Sequence, residues 1–174
     1  KLFNISYGAD KAAAKNAAVY SLEIAEGSRD DDGIALYHIP GVEGKHQIEA
    51  LVYESEKGYV WKPVTLVAET DEDEGISLVY GKISYDDQTE GTAFVLSVDS
   101  ASGLVTLSQD MALRHPDKDD PEESIALDVT LKLTVTDGDG DKAVQTVTLD
   151  VQFGDDGPNV EVMEGLTDDQ KTMA

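Results

Sequence analysis

Residues 127–153, LDVTLKLTVTDGDGDKAVQTVTLDVQF, decide the fold. Leu127, Val129, Leu131, Leu133 and Val135 alternate with Asp128, Thr130, Lys132 and Thr134. Successive strand side chains point to opposite faces, so this run is a strand with one buried and one wet side. In its second half Ala143, Val147, Leu149, Val151 and Phe153 share one face, and Val144, Thr146, Thr148 and Asp150 the other. Between the two runs stands Asp137-Gly138-Asp139-Gly140-Asp141, a loop of turn formers. The whole reads as a long antiparallel hairpin.

Working outward, the same period of two recurs in shorter runs. Ala18–Ile24 and Gly33–Ile39 flank the acidic turn Asp30-Asp31-Asp32. Gln47–Glu54 and Tyr59–Val64 flank Glu56-Lys57-Gly58 as a second hairpin, with Thr65–Ala68 as a candidate continuation. Ile76–Ile83, Thr92–Asp99 and Leu104–Ser108 follow, the last two joined by the turn Ser100-Ala101-Ser102-Gly103. Helix is scarce: Asp10–Ala18 is alanine-rich without an apolar stripe and reads as a loop or single turn. The expectation is therefore an all-β, antiparallel β-sandwich with long acidic loops. Residues 1–160 read as the sandwich module, and 161–174, polar throughout, as an exit strand and linker toward a next domain. No signal-peptide pattern opens the sequence, so it reads as a piece internal to a longer chain.

Charge is the strongest compositional signal. Thirteen basic residues stand against 36 acidic ones, a net charge of −23 over 174 residues. Such a chain repels itself, and it repels nucleic acid and anionic membrane surfaces as partners. No apolar run approaches membrane-spanning length, so direct membrane insertion is not expected. Cysteine is absent, which excludes disulfides and thiolate chemistry.

The acids gather at loops, and there they suit calcium. Asp137, Asp139 and Asp141 alternate in a glycine-bearing loop, so their carboxylates can converge as the hard oxygen ligands calcium selects. The spacing begins like an EF-hand and then departs: Lys142 stands where that loop needs glycine and Thr148 where it needs glutamate. An ordinary aspartate–glycine turn is the plainer alternative. Asp155 and Asp156, in Gly154–Asn159, form a second candidate site at a stiff proline exit. Asp117, Asp119 and Asp120, in a loop braced by Pro116 and Pro121, form a third. The run Glu69–Glu74 reads as a solvated loop.

Catalysis has no comparable support. His38, His46 and His115 make no zinc-spacing motif, and His38 sits among strand residues, where a structural role is expected. There is no nucleophile elbow, phosphate loop or dinucleotide fingerprint. In so acidic a chain, a pair of carboxylates says nothing about glycoside hydrolysis. The chain reads as a non-enzyme.

Several stretches carry a family resemblance. Residues 94–109 (FVLSVDSASGLVTLSQ), 113–116 (LRHP), 133–141 (LTVTDGDGD) and 153–158 (FGDDGP) resemble, in order, the repeat module of giant RTX adhesins exported by type I secretion. Tyr7–Asp10 and Val19–Leu22 fit the same pattern. The resemblance implies a cadherin- or Ig-like calcium-binding β-sandwich, strung in tandem with neighbouring adhesin domains on a bacterial cell surface and secreted for adhesion and biofilm. It also implies several Ca²⁺ ions, with Asp137, Asp139 and Asp141 in one loop and Asp155 and Asp156 in the exit. Some such modules bind an extracellular peptide, by its C-terminal carboxylate, or a glycan. Others are structural extenders that bind no ligand. Gly41–Asp86 departs from the pattern, and its aromatics Tyr53, Tyr59, Trp61, Tyr80 and Tyr85 are candidates for a binding groove or for cross-strand packing.

Overall fold

The computed structural model describes residues 2–7, 9, 11–85, 89–117, 123–154 and 157–158. Twelve strands are present among them: β1 (Ala18–Ile24), β2 (Leu36–Tyr37), β3 (His46–Gln47), β4 (Glu49–Glu54), β5 (Gly58–Pro63), β6 (Thr65–Asp71), β7 (Ile76–Ser84), β8 (Glu90–Asp99), β9 (Val105–Gln109), β10 (Ser124–Thr136), β11 (Lys142–Gly154) and β12 (Gly157–Pro158). No helix occurs among the described residues, and the part of Asp10–Ala18 they include, 11–18, supplies a loop and the start of β1.

Two four-stranded antiparallel sheets form a β-sandwich, one ordered β1-β10-β11-β12 and the other β6-β7-β8-β9. The hairpin expected at 127–153 is longer than its alternation suggested, pairing Ser124 with Gly154 at one end and Thr136 with Lys142 at the other. Its apolar face packs inward. Leu127, Val129, Leu131, Leu133, Leu149, Val151 and Phe153 are buried together with Leu66, Val79, Phe94 and Leu96 of the opposing sheet. The ring of Phe153 meets that of Phe94 at 4.9 Å between centroids. Burial of this apolar surface is the main term holding the sheets together.

The free edge of β1 is closed by the other sheet. Buried Ser77, on β7, accepts a hydrogen bond from the Leu22 amide through its Oγ at 3.0 Å. An edge amide is thereby satisfied inside the sandwich rather than left open to pairing.

The strand expected at Gly33–Ile39 reduces to Leu36–Tyr37. Successive residues there bond to different partners: Ala35 N–H to Val64 O, Leu36 N–H to Ser28 O, and His38 N–H to Ala126 O. Only Leu36 and Tyr37 share a ladder, with Gln47 and His46 of β3, so the segment stitches several elements together instead of extending either large sheet. Thr65–Ala68 likewise does not continue β5. After Pro63 and Val64 the chain steps into the second sheet as β6, while β4 and β5 form a separate two-stranded ribbon. Residues 161–174, expected as an exit and linker, lie outside the described residues.

Candidate metal and ligand sites

Among the described residues, metal-ligating side chains converge in two groups, Asp137-Asp139-Asp141 and His38-Asp128-Asp150, each within 4.8 Å. The first is the hairpin tip. Asp137 begins the turn, and its Oδ1 accepts the amides of Gly140 at 3.2 Å and Asp141 at 2.9 Å. Asp137 is held below the ordinary carboxylate value first by a side-chain hydrogen bond with Asp139, and then by the amides of Asp141, Gly140 and Asp139. Two carboxylates in such contact need a proton or a cation between them. Three convergent carboxylates on a glycine-bearing turn are a hard-oxygen donor set of the kind calcium takes. The N-terminal segment braces this tip: Ala12 bridges to Asp137, and Gly138 N–H donates to Lys11 O at 2.9 Å.

The other acidic candidates fare differently. Asp117 is in neither converging group, and its backbone amide donates to the Glu123 carboxylate at 2.8 Å. Asp119, Asp120, Asp155 and Asp156 lie outside the described residues. Several other acids cap their own turns, a role the sequence reading missed. Asp30 Oδ1 accepts the amides of Asp32 and Ile34, and Asp71 Oδ1 accepts those of Asp73 and Glu74. Asp99 accepts the Ser102 amide. The Ile34 amide is the main cause holding Asp30 low, and the Ser102 side chain the main cause for Asp99. Part of the acidic clustering is thus local turn chemistry.

The second group sits on the outer face of the long hairpin. Asp128 and Asp150 are direct partners across β10 and β11. His38 pairs with Ala126 on the edge that β1 leaves free beyond Ile24, so it lies diagonal to Asp128. Its Nε2 stands 3.3 Å from Asp128 Oδ1 and 3.9 Å from Asp150 Oδ1. A cleft of about 660 Å³ opens there, lined also by Val42, Gly44, Lys45 and Thr148. The sequence held a signal for this pairing. A hairpin folded about Asp139 sets Asp128 and Asp150, each eleven residues away, opposite one another. His38 arrives from distant sequence and carried no such signal.

A third feature is aromatic. Tyr53 partners Tyr59 and Leu51 partners Trp61 across the β4–β5 ribbon, so these four share one face. Tyr53 is 64% exposed, Tyr59 73% and Trp61 40%. The rings of Tyr53 and Tyr59 meet edge to face at 5.3 Å, and the Arg114 guanidinium lies 5.9 Å from the Trp61 ring centre. Arg114 also pairs with Glu49 at 2.7 Å, beside a cleft lined by Tyr37, His46, Gln47 and Pro116. The ribbon's opposite face, with Ala50 and Val52, is buried. Lys62 fixes the ribbon to the sandwich, donating to Tyr85 O at 2.8 Å and pairing with Glu54 at 2.6 Å. That pairing is the main cause holding Glu54 below its ordinary value.

Fold and sites together define an acidic antiparallel β-sandwich with carboxylate clusters on one sheet and an exposed aromatic ribbon at its side. The family model described as Domain of unknown function (DUF5801) matches residues 61–151, more than half of the chain, and the chain belongs to that family. The matched stretch runs from Trp61 through the second sheet and most of the long hairpin, and includes Asp128, Asp137, Asp139, Asp141 and Asp150. His38, Tyr53 and Tyr59 lie outside it. No curated protein matches the chain, and no solved structure does.

Proposed function

We propose that this chain is a non-catalytic, calcium-dependent adhesion module of a large secreted bacterial surface protein, of the RTX adhesin kind, and that it binds an extracellular peptide or glycan. The observation that carries the ligand-binding part is the aromatic face of the β4–β5 ribbon. Large rings that are 64% and 73% exposed, paired in register and backed by a buried face, are a rigid platform offered to solvent. Exposed aromatic surface flanked by polar groups favours ligand contact, since rings supply large area at little entropic cost. Calcium is supported by the converging carboxylates of Asp137, Asp139 and Asp141. An ion there offsets part of the −23 charge. With open coordination positions, it also offers a receptor for a peptide's terminal carboxylate on an otherwise repelling surface.

The test is thermal melting with Ca²⁺ and with chelator, repeated against peptide and glycan panels. The reading expects melting to rise with Ca²⁺ and to rise further with one ligand class, the second increment being lost in Tyr59→Ala and Trp61→Ala. Melting indifferent to chelator would overturn the calcium part. A calcium response with no ligand increment from either panel would leave a structural extender instead.

A further inference from the structure

We propose that His38, Asp128 and Asp150 form a site for a zinc-type divalent transition metal, separate from the acidic hairpin tip. Three features of the geometry carry this.

The first is a like-charge pair that the fold enforces. Asp128 and Asp150 face each other in register, with side chains only 23% and 22% exposed. Like charges directly opposite across a sheet are destabilising, and a cation placed between them relieves the repulsion. Lys45 Nζ approaches Asp128 at 3.6 Å, but at Oδ2, and it also donates to Gly27 O. It therefore offsets part of the charge of Asp128 through the other carboxylate oxygen.

The second is spacing. A charge-assisted N–H···O bond closes to about 2.7–2.9 Å. Nε2 of His38 instead stands 3.3 Å from Asp128 Oδ1 and 3.9 Å from Asp150 Oδ1. Two ligands on a tetrahedral ion with bonds of about 2.0–2.1 Å stand roughly 3.3 Å apart. The short edge is a long hydrogen bond in the structure, and its length is also the separation of two ligands on one ion.

The third is preorganisation. His38 is clamped to Ala126 by two backbone hydrogen bonds of 2.9 Å each, and Asp128 and Asp150 are held by the longest ladder among the described residues. Two of the donors stand on paired strands, and the third is held to β10 by an isolated bridge. One imidazole nitrogen with two carboxylates suits zinc and its neighbours, whereas calcium takes oxygen alone. Three protein ligands leave a fourth position toward the cleft, where water or a donor atom of a bound molecule completes the shell.

The experiment uses tag-free protein, stripped with chelator and titrated with Zn²⁺ by calorimetry in excess Ca²⁺, which keeps the oxygen-only sites filled. One equivalent of Zn²⁺ is expected to bind. His38→Gln and Asp150→Asn should each weaken it by about 100-fold or more, since losing a direct ligand exceeds the loss of a supporting one. Asp139→Asn and His46→Gln should leave it unchanged. Co²⁺ in place of Zn²⁺ should give visible bands of low-coordinate cobalt, absent in Asp150→Asn. Circular dichroism confirms that each variant is folded before it is titrated, and Asp150→Asn decides the matter where His38→Gln folds poorly. No Zn²⁺ binding, or stoichiometric binding that survives both ligand substitutions, overturns the proposal. Neither result bears on the calcium reading of the hairpin tip.

Discussion

Gly81 of β7 lies directly against the ring of Phe94 on β8: a Cβ added to Gly81 would stand 2.4 Å from the ring's Cε1. The two residues are cross-strand partners, and the register shifts just after them, between Gly81 and Lys82. Phe94 is fully buried and packs on Phe153 of the facing sheet. Glycine is therefore a steric requirement of the central ring pair. Gly81→Ala should force Phe94 out of its place and cost about 1–3 kcal/mol, the usual range for overpacking a close-fitted core. Chemical denaturation of the two proteins measures it, and an unchanged midpoint would refute the account.

Tyr59 presents the opposite case. Its ring is 73% exposed and touches Tyr53 edge to face. A cross-strand aromatic pair is worth roughly 0.2–1 kcal/mol. Tyr59→Ala should therefore lower stability by less than about 1 kcal/mol while abolishing the melting increment from ligand. A stability loss as large as that of Gly81→Ala would mean that the ribbon's rings serve packing rather than binding.

The fold was legible because burial imposes the period of two. Val129, Leu131 and Leu133 alternate with polar partners and lie in the core as alternation requires. The Gly33–Ile39 strand was not legible in the same way. Its backbone bonds to several different neighbours, and a hydrophobic pattern reports burial without reporting the partner. At the hairpin tip, Asp137, Asp139 and Asp141 converge as the alternating spacing implied, since the turn itself brings them together. The outer-face triad was half legible, because the hairpin register sets Asp128 opposite Asp150 while His38 joins them from far along the chain. The acids of Asp30, Asp71 and Asp99 looked like charge and proved to be caps, which only the amide positions disclose.

Caps and one ion pair bear on the acid limit of the fold. Asp30, Glu54 and Asp99 have folded-state pKa values below their ordinary ones. The dominant causes are the Ile34 amide, Lys62 and the Ser102 side chain, respectively. A depressed pKa contributes stability that is complete above the unfolded value, 3.8 for Asp and 4.5 for Glu, and is lost as pH falls through the folded value. Melting temperature in chelator should therefore fall as the pH drops below the ordinary carboxylate range. Asp30→Asn keeps an acceptor oxygen without a titrating charge, so its decline should be shallower. A melting temperature that held or rose down to about pH 2 would show that relief of the −23 charge outweighs the caps.

Calcium at the hairpin tip makes the last prediction. Asp137 and Asp139 are in side-chain contact with Asp141 close by, so without an ion this tip concentrates repulsion where the longest strands meet. An ion that binds only the folded chain stabilises it by mass action, about 2.7 kcal/mol at a concentration 100 times its dissociation constant. Asp139→Asn removes one ligand and one repelling charge together. It should therefore melt higher than the parent in chelator and respond less to Ca²⁺, so that the two melting curves converge or cross as Ca²⁺ is added. Calorimetric scans across a Ca²⁺ series check both limbs. Equal calcium responses in parent and variant would place the ion elsewhere. A variant that melts lower in chelator would make Asp139 a partner of the turn rather than a source of strain in it.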